Sequence, residues 1–336
     1  MARQPRLDAP GILHHVIVRG IERKKIFWDD ADRKDFLDRC GMIFPETKTA
    51  CYAFALIPNH VHLLVRTGTT PLSTTMARVL TGYAVHFNRT HRRYGQLFQN
   101  RYKSIVCQED VYLKELVRYI HLNPLRAGIL KDIDALASFP YAGHAALMGT
   151  MPYPWQDEQF VLSLFGDDAL QARMAYLDFV KEGLAQGRRS DLAGGGLVRS
   201  HRGWTEIRKS SERLKGDVRI LGNTRFVLDT LSRAQQKLDN RYHLRRMGVD
   251  LSFVEQRVLK LCNLSKEELY SRGRQKRSAE AKALLCFFAV RELGLTQTRL
   301  AERLRMTQPG VASAVARGER LARDRGYVLL DEGNRD

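Results

Sequence analysis

The stretch FALIPNHVHLLV, residues 54–65, sets His60 and His62 two positions apart in a run that otherwise has strand character. Side chains along a strand alternate faces, so both imidazoles share one face while Val61 and Leu63 share the other. Two neutral imidazoles on one face can ligate a single divalent cation and leave positions for a third protein ligand and a substrate oxygen. The same pattern also fits polar residues on the solvated face of a half-buried strand. A second grouping lies in EDVYLKELVRYIHLNP, 109–124, where Tyr119 and Asn123 are spaced i, i+4 and share a helix face. An amide oxygen can coordinate a hard cation, and a deprotonated phenol is a nucleophile. Pro124 disfavours helical geometry at Asn123, so the pair is expected at the very end of its helix. Tyr83, Tyr102 and Tyr112 compete for the nucleophile's role.

The elements that must position these groups can be read from periodicity. ILHHVIVRG (12–20) is apolar and β-branched, a strand; residues 29–44 start acidic and carry Phe36, Cys40 and Ile43 at helical spacing. CYAFALI and HVHLLVRT form two further strands, with Pro58-Asn59 as a tight hairpin turn between them. Residues 71–93 form an amphipathic helix that buries Met76, Leu80, Tyr83 and Phe87. Residues 95–108 are another strand, and 109–124 a helix stopped by proline. This order predicts an α+β domain, an antiparallel sheet with packed helices, over 1–150. Residues 151–192 have a helical pattern, AGGGL begins a linker over 193–200, and 201–336 form an all-α domain.

Composition narrows the class of partner. The chain has 336 residues, 44% apolar and 27% charged, which is globular, and a formal charge of +18. Of that charge, residues 201–336 hold 29 Lys and Arg against 17 Asp and Glu, so a polyanion-binding module is expected there. No run of 18 apolar residues suggests membrane attachment, MARQPRLDAP lacks the apolar core of a secretory signal, and the expected location is the cytosol. The five cysteines lack C-x-x-C spacing and read as reduced and structural. No GxxxxGK[ST] loop is present, consistent with chemistry that uses no nucleotide cofactor.

PNHVHLL (58–64), LFQNRYKS (97–104) and YLKELVRYIHLNPLRAG (112–128), together with HHVIVRGIERKKIF near the start, resemble the signature blocks of the single-tyrosine HUH transposases, specifically the REP-associated tyrosine transposases of bacteria. The resemblance covers roughly residues 8–150. It implies a compact α+β domain that cleaves and rejoins single-stranded DNA beside a hairpin through a 5′-phosphotyrosine. It further implies Tyr119 as nucleophile and His60, His62 and Asn123 as ligands of Mg²⁺ or Mn²⁺. Members act as monomers or homodimers, and both remain open here. Arg19, Arg101 and Lys103 are candidates for phosphate contacts, with Tyr102 and Phe98 as faces for base stacking. A non-catalytic DNA-binding regulator on the same fold is the alternative reading, and a metallohydrolase using a metal-bound water is another.

In the C-terminal part, LTQTRLAERLRMTQPGVASAV reads as a helix-turn-helix over 296–317, with Thr296 and Thr307 as caps and Pro309 in the first turn of the second helix. Gln308, Ser313 and Arg317 then face a DNA groove. Ser278 is expected to cap the preceding helix, and SRGRQKR supplies Arg272, Arg274, Lys276 and Arg277 for phosphates. This region resembles the DNA-binding domain of the replication initiator DnaA, departing from it in the recognition helix, and it implies duplex DNA as a second partner.

Overall fold

The computed structural model describes residues 7–187, 189, 192, 217, 219–271 and 276–330. The chain divides into two compact units, Met1–Leu231 and Ser232–Asp336, with the division inside the helix Thr224–Arg246. The expected linker over 193–200 and the expected phosphate contacts Arg272 and Arg274 lie outside the described residues.

The first unit is built on a sheet with strand order β2-β3-β1-β4-β5. The strands are β1 Leu13–Arg19, β2 Ala50–Ile57, β3 His60–Arg66, β4 Lys103–Cys107 and β5 Ile220–Leu221. The first four pair antiparallel. Pro58 and Asn59 make the two-residue connection between β2 and β3, as their turn chemistry predicts. β5 adds to β4 in parallel, Val106 beside Ile220 and Cys107 beside Leu221, so the sheet is mixed rather than wholly antiparallel. A two-residue strand carries no periodicity, which is why its sequence does not announce it.

Alternation along the strands sorts side chains into two layers. Val16 and Val18 of β1 and Val61, Leu63 and Val65 of β3 pack against α1, Asp30–Glu46, and α2, Leu72–Thr90. Met76, Leu80, Tyr83 and Phe87 are all buried in this layer, the face expected of α2. On the other side of the sheet, Leu13 and Leu64 meet α3, Glu109–His121, through Leu113, Leu116, Val117 and Ile120. The helix Ala169–Glu182 adds Tyr176 and Val180 to that second core, so part of the 151–192 segment packs against the sheet domain. A register shift between Cys51 and Ala53 lets Cys51 face the first core while Tyr52 and Ala53 face the second.

Pro124 does not push Asn123 out of the helical region. α3 ends at His121, Leu122 stays helical at φ −80° and ψ −6°, and a short helix Asn123–Arg126 follows with Pro124 in its first turn. A proline there removes only an N–H that has no partner in a first turn. Tyr119 and Asn123 therefore keep their one-turn relationship across a helix junction.

The second unit is helical. Thr296 caps Gln297–Leu304 by accepting from Arg299 N, and Thr307 caps Gln308–Arg325 by accepting from Gly310 N. Arg305 turns the chain between them in the left-handed conformation, φ 50°. Ser278 is not a cap: the preceding helix already runs from Lys276 and buries Ser278 within it. Lys and Arg are good helix formers, so the two basic residues before the serine carry the helix past it.

Candidate active site

β1, β3, α3 and the helix junction converge on a cavity of about 600 Å³ on the second face of the sheet. The register puts Ile17 opposite His62 and Arg19 opposite His60. Since directly paired residues share a face, β1 sends His15, Ile17 and Arg19 to the side of the two histidines. His60 and His62 lie with ring centroids 5.0 Å apart. The Tyr119 ring lies 5.9 Å from that of His62 and 5.9 Å from that of His15. Asn123 lines the same cavity, and its Nδ2 donates to the Tyr119 carbonyl at 3.1 Å. That bond leaves the amide oxygen as the group available to a cation.

The histidines are in the state a metal needs. Burial, then the charge on Arg19, pushes His60 down to about 4. Burial, followed by His15, His60 and Arg19, pushes His62 well below the usual histidine value. Both are neutral at pH 7, the ligating form. His60 Nδ1 meets Asn59 Oδ1 at 2.7 Å, an oxygen acceptor, so Nδ1 carries the hydrogen and Nε2 the lone pair. His62 Nδ1 is engaged by His15 Nε2 at 2.9 Å, so Nε2 is again the remaining nitrogen. Two imidazole nitrogens and an amide oxygen fit a divalent cation that retains open positions for phosphate oxygen.

The walls are strongly basic. Arg19, Lys103, Arg126 and Arg189 line the cavity, and among the described residues no lining residue is a carboxylate. Arg126 sits 5.5 Å over the Tyr119 ring. Such a wall attracts a phosphate and repels nothing anionic. Burial and the neighbouring Arg19 lower the Lys103 ammonium below its ordinary value.

Of the residues singled out by sequence, Arg19, Tyr102, Lys103, Tyr119, Asn123, His60 and His62 meet in this cavity. Arg101 is exposed and is not among its lining residues. Tyr102 lines the cavity but is only 8% exposed and belongs to the first core, and Phe98 packs on that core. Tyr83 is spent structurally: it is fully buried and its hydroxyl donates to the Ile26 carbonyl. Tyr112 packs on the second core. Sequence reasoning missed His15, Arg126 and Arg189. The alternation that placed the histidine pair also places His15 with Arg19, and that signal was available. Arg189 reaches the wall from a distant segment and left none.

Asp29, Asp32 and His91 form a different cluster, on the α1–α2 layer. His91 Nε2 contacts Asp32 Oδ1 at 2.8 Å, Asp32 Oδ2 accepts from Trp28 N at 2.7 Å, and Asp29 caps α1 through Asp32 N. These bonds start a helix and tie it to α2.

In the second unit Gln308, Ser313 and Arg317 are all exposed on Gln308–Arg325. Lys276 is exposed, and Arg277 donates to the carbonyls of Cys262 and Asn263 at 3.0 Å each. No helix among the described residues is long and apolar enough to cross a membrane.

Residues 9–123 match the family model described as transposase, IS200 like. A solved structure titled "Structure of the REP associates tyrosine transposase bound to a REP hairpin" aligns at 13% identity and a TM-score of 0.37, covering 47% of this chain and 98% of that one. No curated protein matches the chain.

Proposed function

Starting from an IS200-like transposase domain at residues 9–123, we propose that the protein is a metal-dependent single-strand DNA endonuclease and strand transferase with Tyr119 as its nucleophile. The observation that carries this reading is the meeting of a phenol and two neutral imidazoles in one cavity whose described lining residues include Arg19, Lys103, Arg126 and Arg189.

In this reading Arg19, Lys103 and Arg189 draw the scissile phosphate into the cavity, and His60, His62 and Asn123 would hold Mg²⁺ or Mn²⁺. When bound, such a cation would supply Lewis-acid stabilisation of the charge that develops on the phosphate during displacement. Tyr119 Oη forms a bond to phosphorus as its proton leaves to solvent, and the bond from phosphorus to the 3′ oxygen breaks. That oxygen takes a proton, giving a 5′-phosphotyrosine and a free 3′-hydroxyl. Arg126, over the Tyr119 ring, adds positive charge beside the phosphate that Tyr119 attacks. Attack by a second 3′-hydroxyl reverses these bond changes and reseals a strand, so no nucleotide cofactor is consumed. The substrate class is single-stranded DNA next to a hairpin, as the motif blocks around 58–64, 97–104 and 112–128 imply.

The second unit is assigned duplex DNA as its ligand. The two threonine-capped helices and the exposed Gln308, Ser313 and Arg317 support a groove-reading role for Gln308–Arg325, and the exposed Lys276 is the remaining candidate for a phosphate contact.

The test is incubation of the full chain with end-labelled hairpin-bearing single-stranded DNA and Mg²⁺ or Mn²⁺, followed by a denaturing gel. A covalent adduct is expected from the wild type and none from Tyr119→Phe. An adduct that survives in Tyr119→Phe, or no adduct with either metal, sinks the proposal.

A further inference from the structure

His15 lies in the block HHVIVRGIERKKIF but has no part in the chemistry assigned above, and it is fully buried directly behind His62. Its two ring nitrogens have different partners. Nδ1 lies 3.1 Å from the carbonyl oxygen of Leu192, and Nε2 lies 2.9 Å from His62 Nδ1. A carbonyl oxygen can only accept, so in the neutral ring the hydrogen sits on Nδ1 and the lone pair on Nε2. His62 Nδ1 must then be the donor to that lone pair. The opposite tautomer of His62 would set two lone pairs against each other at 2.9 Å in a site sealed from water, where an unmade hydrogen bond is costly.

We propose that His15 is a positioning residue: anchored on the Leu192 carbonyl, it holds His62 with its hydrogen on Nδ1 and aims the Nε2 lone pair into the cavity. The functional meaning of that lone pair rests on the metal-site reading above, while the tautomer itself does not. Leu192 is itself tightly placed. Its side chain is buried in the second core, and its N–H donates to the Arg189 carbonyl at 3.2 Å. Arg189 in turn holds Glu115 of α3 at 3.3 Å and Gln186 Oε1 at 2.9 Å. The electronic state of a ligand on β3 is therefore set by a backbone carbonyl some 70 residues beyond the end of the matched transposase segment at residue 123. Asn59 does for His60 what His15 does for His62, but from within the same hairpin and without a distant anchor.

The test uses the full chain with ¹⁵N-labelled histidine, free of metal, at pH 7.5. Long-range ¹H–¹⁵N correlation spectra distinguish the two imidazole tautomers. Wild-type His62 is expected in the Nδ1–H form. His15→Gln keeps an acceptor at the distance of Nε2 and is expected to preserve that form. His15→Asn keeps a donor near Leu192 but cannot reach His62, and is expected to lose it. Mn²⁺ titration followed by electron paramagnetic resonance gives a second reading: about 10–100-fold weaker binding in His15→Asn and near wild-type binding in His15→Gln, the range typical of groups behind a metal ligand. A wild-type His62 in the Nε2–H form overturns the proposal. So does a folded His15→Asn that keeps both the tautomer and the Mn²⁺ affinity of the wild type. A wild type with the Nδ1–H form that binds no Mn²⁺ overturns the metal reading and leaves the positioning role of His15 standing.

Discussion

The guanidinium of Arg126 lies 5.5 Å over the ring of Tyr119, held there by bonds to the carbonyls of Tyr119 and Gly183. The junction after α3 therefore delivers three groups at once: phenol, amide and cation, at positions 119, 123 and 126. Arg126→Gln keeps a donor and removes the charge. Adduct formation is expected to slow by about tenfold or more, the effect of roughly 1.4 kcal/mol on the barrier. Single-turnover gels measure it; an unchanged rate removes Arg126 from the mechanism.

Asn123→Asp replaces a neutral oxygen ligand by a charged one. Mn²⁺ affinity is expected to rise by about an order of magnitude, since ligand charge tunes affinity for hard cations. Adduct formation is expected to fall, because the new carboxylate repels the scissile phosphate. Calorimetric titration with Mn²⁺ and the adduct gel on the same preparation give both signs, and a drop in Mn²⁺ affinity would exclude Asn123 as a ligand.

Acid stability follows from histidines away from the cation site. Burial pushes His14 and His144 each down to about 4. In the unfolded chain they titrate near 6.5, so between about pH 6.5 and 4 the unfolded state binds protons that the native state refuses. Stability is therefore complete above pH 6.5 and is lost as the pH falls through that window, on the order of 1 kcal/mol per pH unit for each group. Urea midpoints at pH 7.5, 6 and 5 should fall steadily, and equal midpoints would contradict the burial of these imidazoles in the native state.

Gly318 of Gln308–Arg325 packs directly on the backbone of Lys276–Phe287. A Cβ at this position would meet the Ala283 carbonyl oxygen at 2.0 Å, and backbone cannot give way cheaply. Gly318→Ala is expected to destabilise the second unit by about 1–3 kcal/mol or more, as overpacking does. Urea unfolding of the full chain, read against Gly310→Ala, whose added Cβ meets nothing nearer than 3.1 Å, supplies the control. Equal effects at the two glycines would argue against the close helix contact.

Much of this protein is legible along the chain because its signals are local. Alternation around His60 and His62 put both rings on one face, and Pro58-Asn59 marked the hairpin that holds them. Helical spacing found the buried stripe of α2, and Thr296 and Thr307 announced two helix starts. Where local reasoning failed, it failed at helix boundaries, where two local signals compete. Pro124 reads as a stop to the helical path at Asn123, whereas its place in a new first turn lets the path continue. Ser278 reads as a cap, whereas Lys276 and Arg277 extend the helix past it.

The sequence by itself determined the two imidazoles on one strand face, the phenol and amide one turn apart, and the basic, helical character of the C-terminal part, because strand and helix periods are properties of consecutive residues. Only the tertiary structure decided that these groups share a cavity, that Arg126 and Arg189 complete its walls, and that Leu192 reaches back to His15. Hydrogen bonds and charges act through a few ångströms of space, and the distance along the chain between residues 15, 62 and 192 carries no record of that closeness.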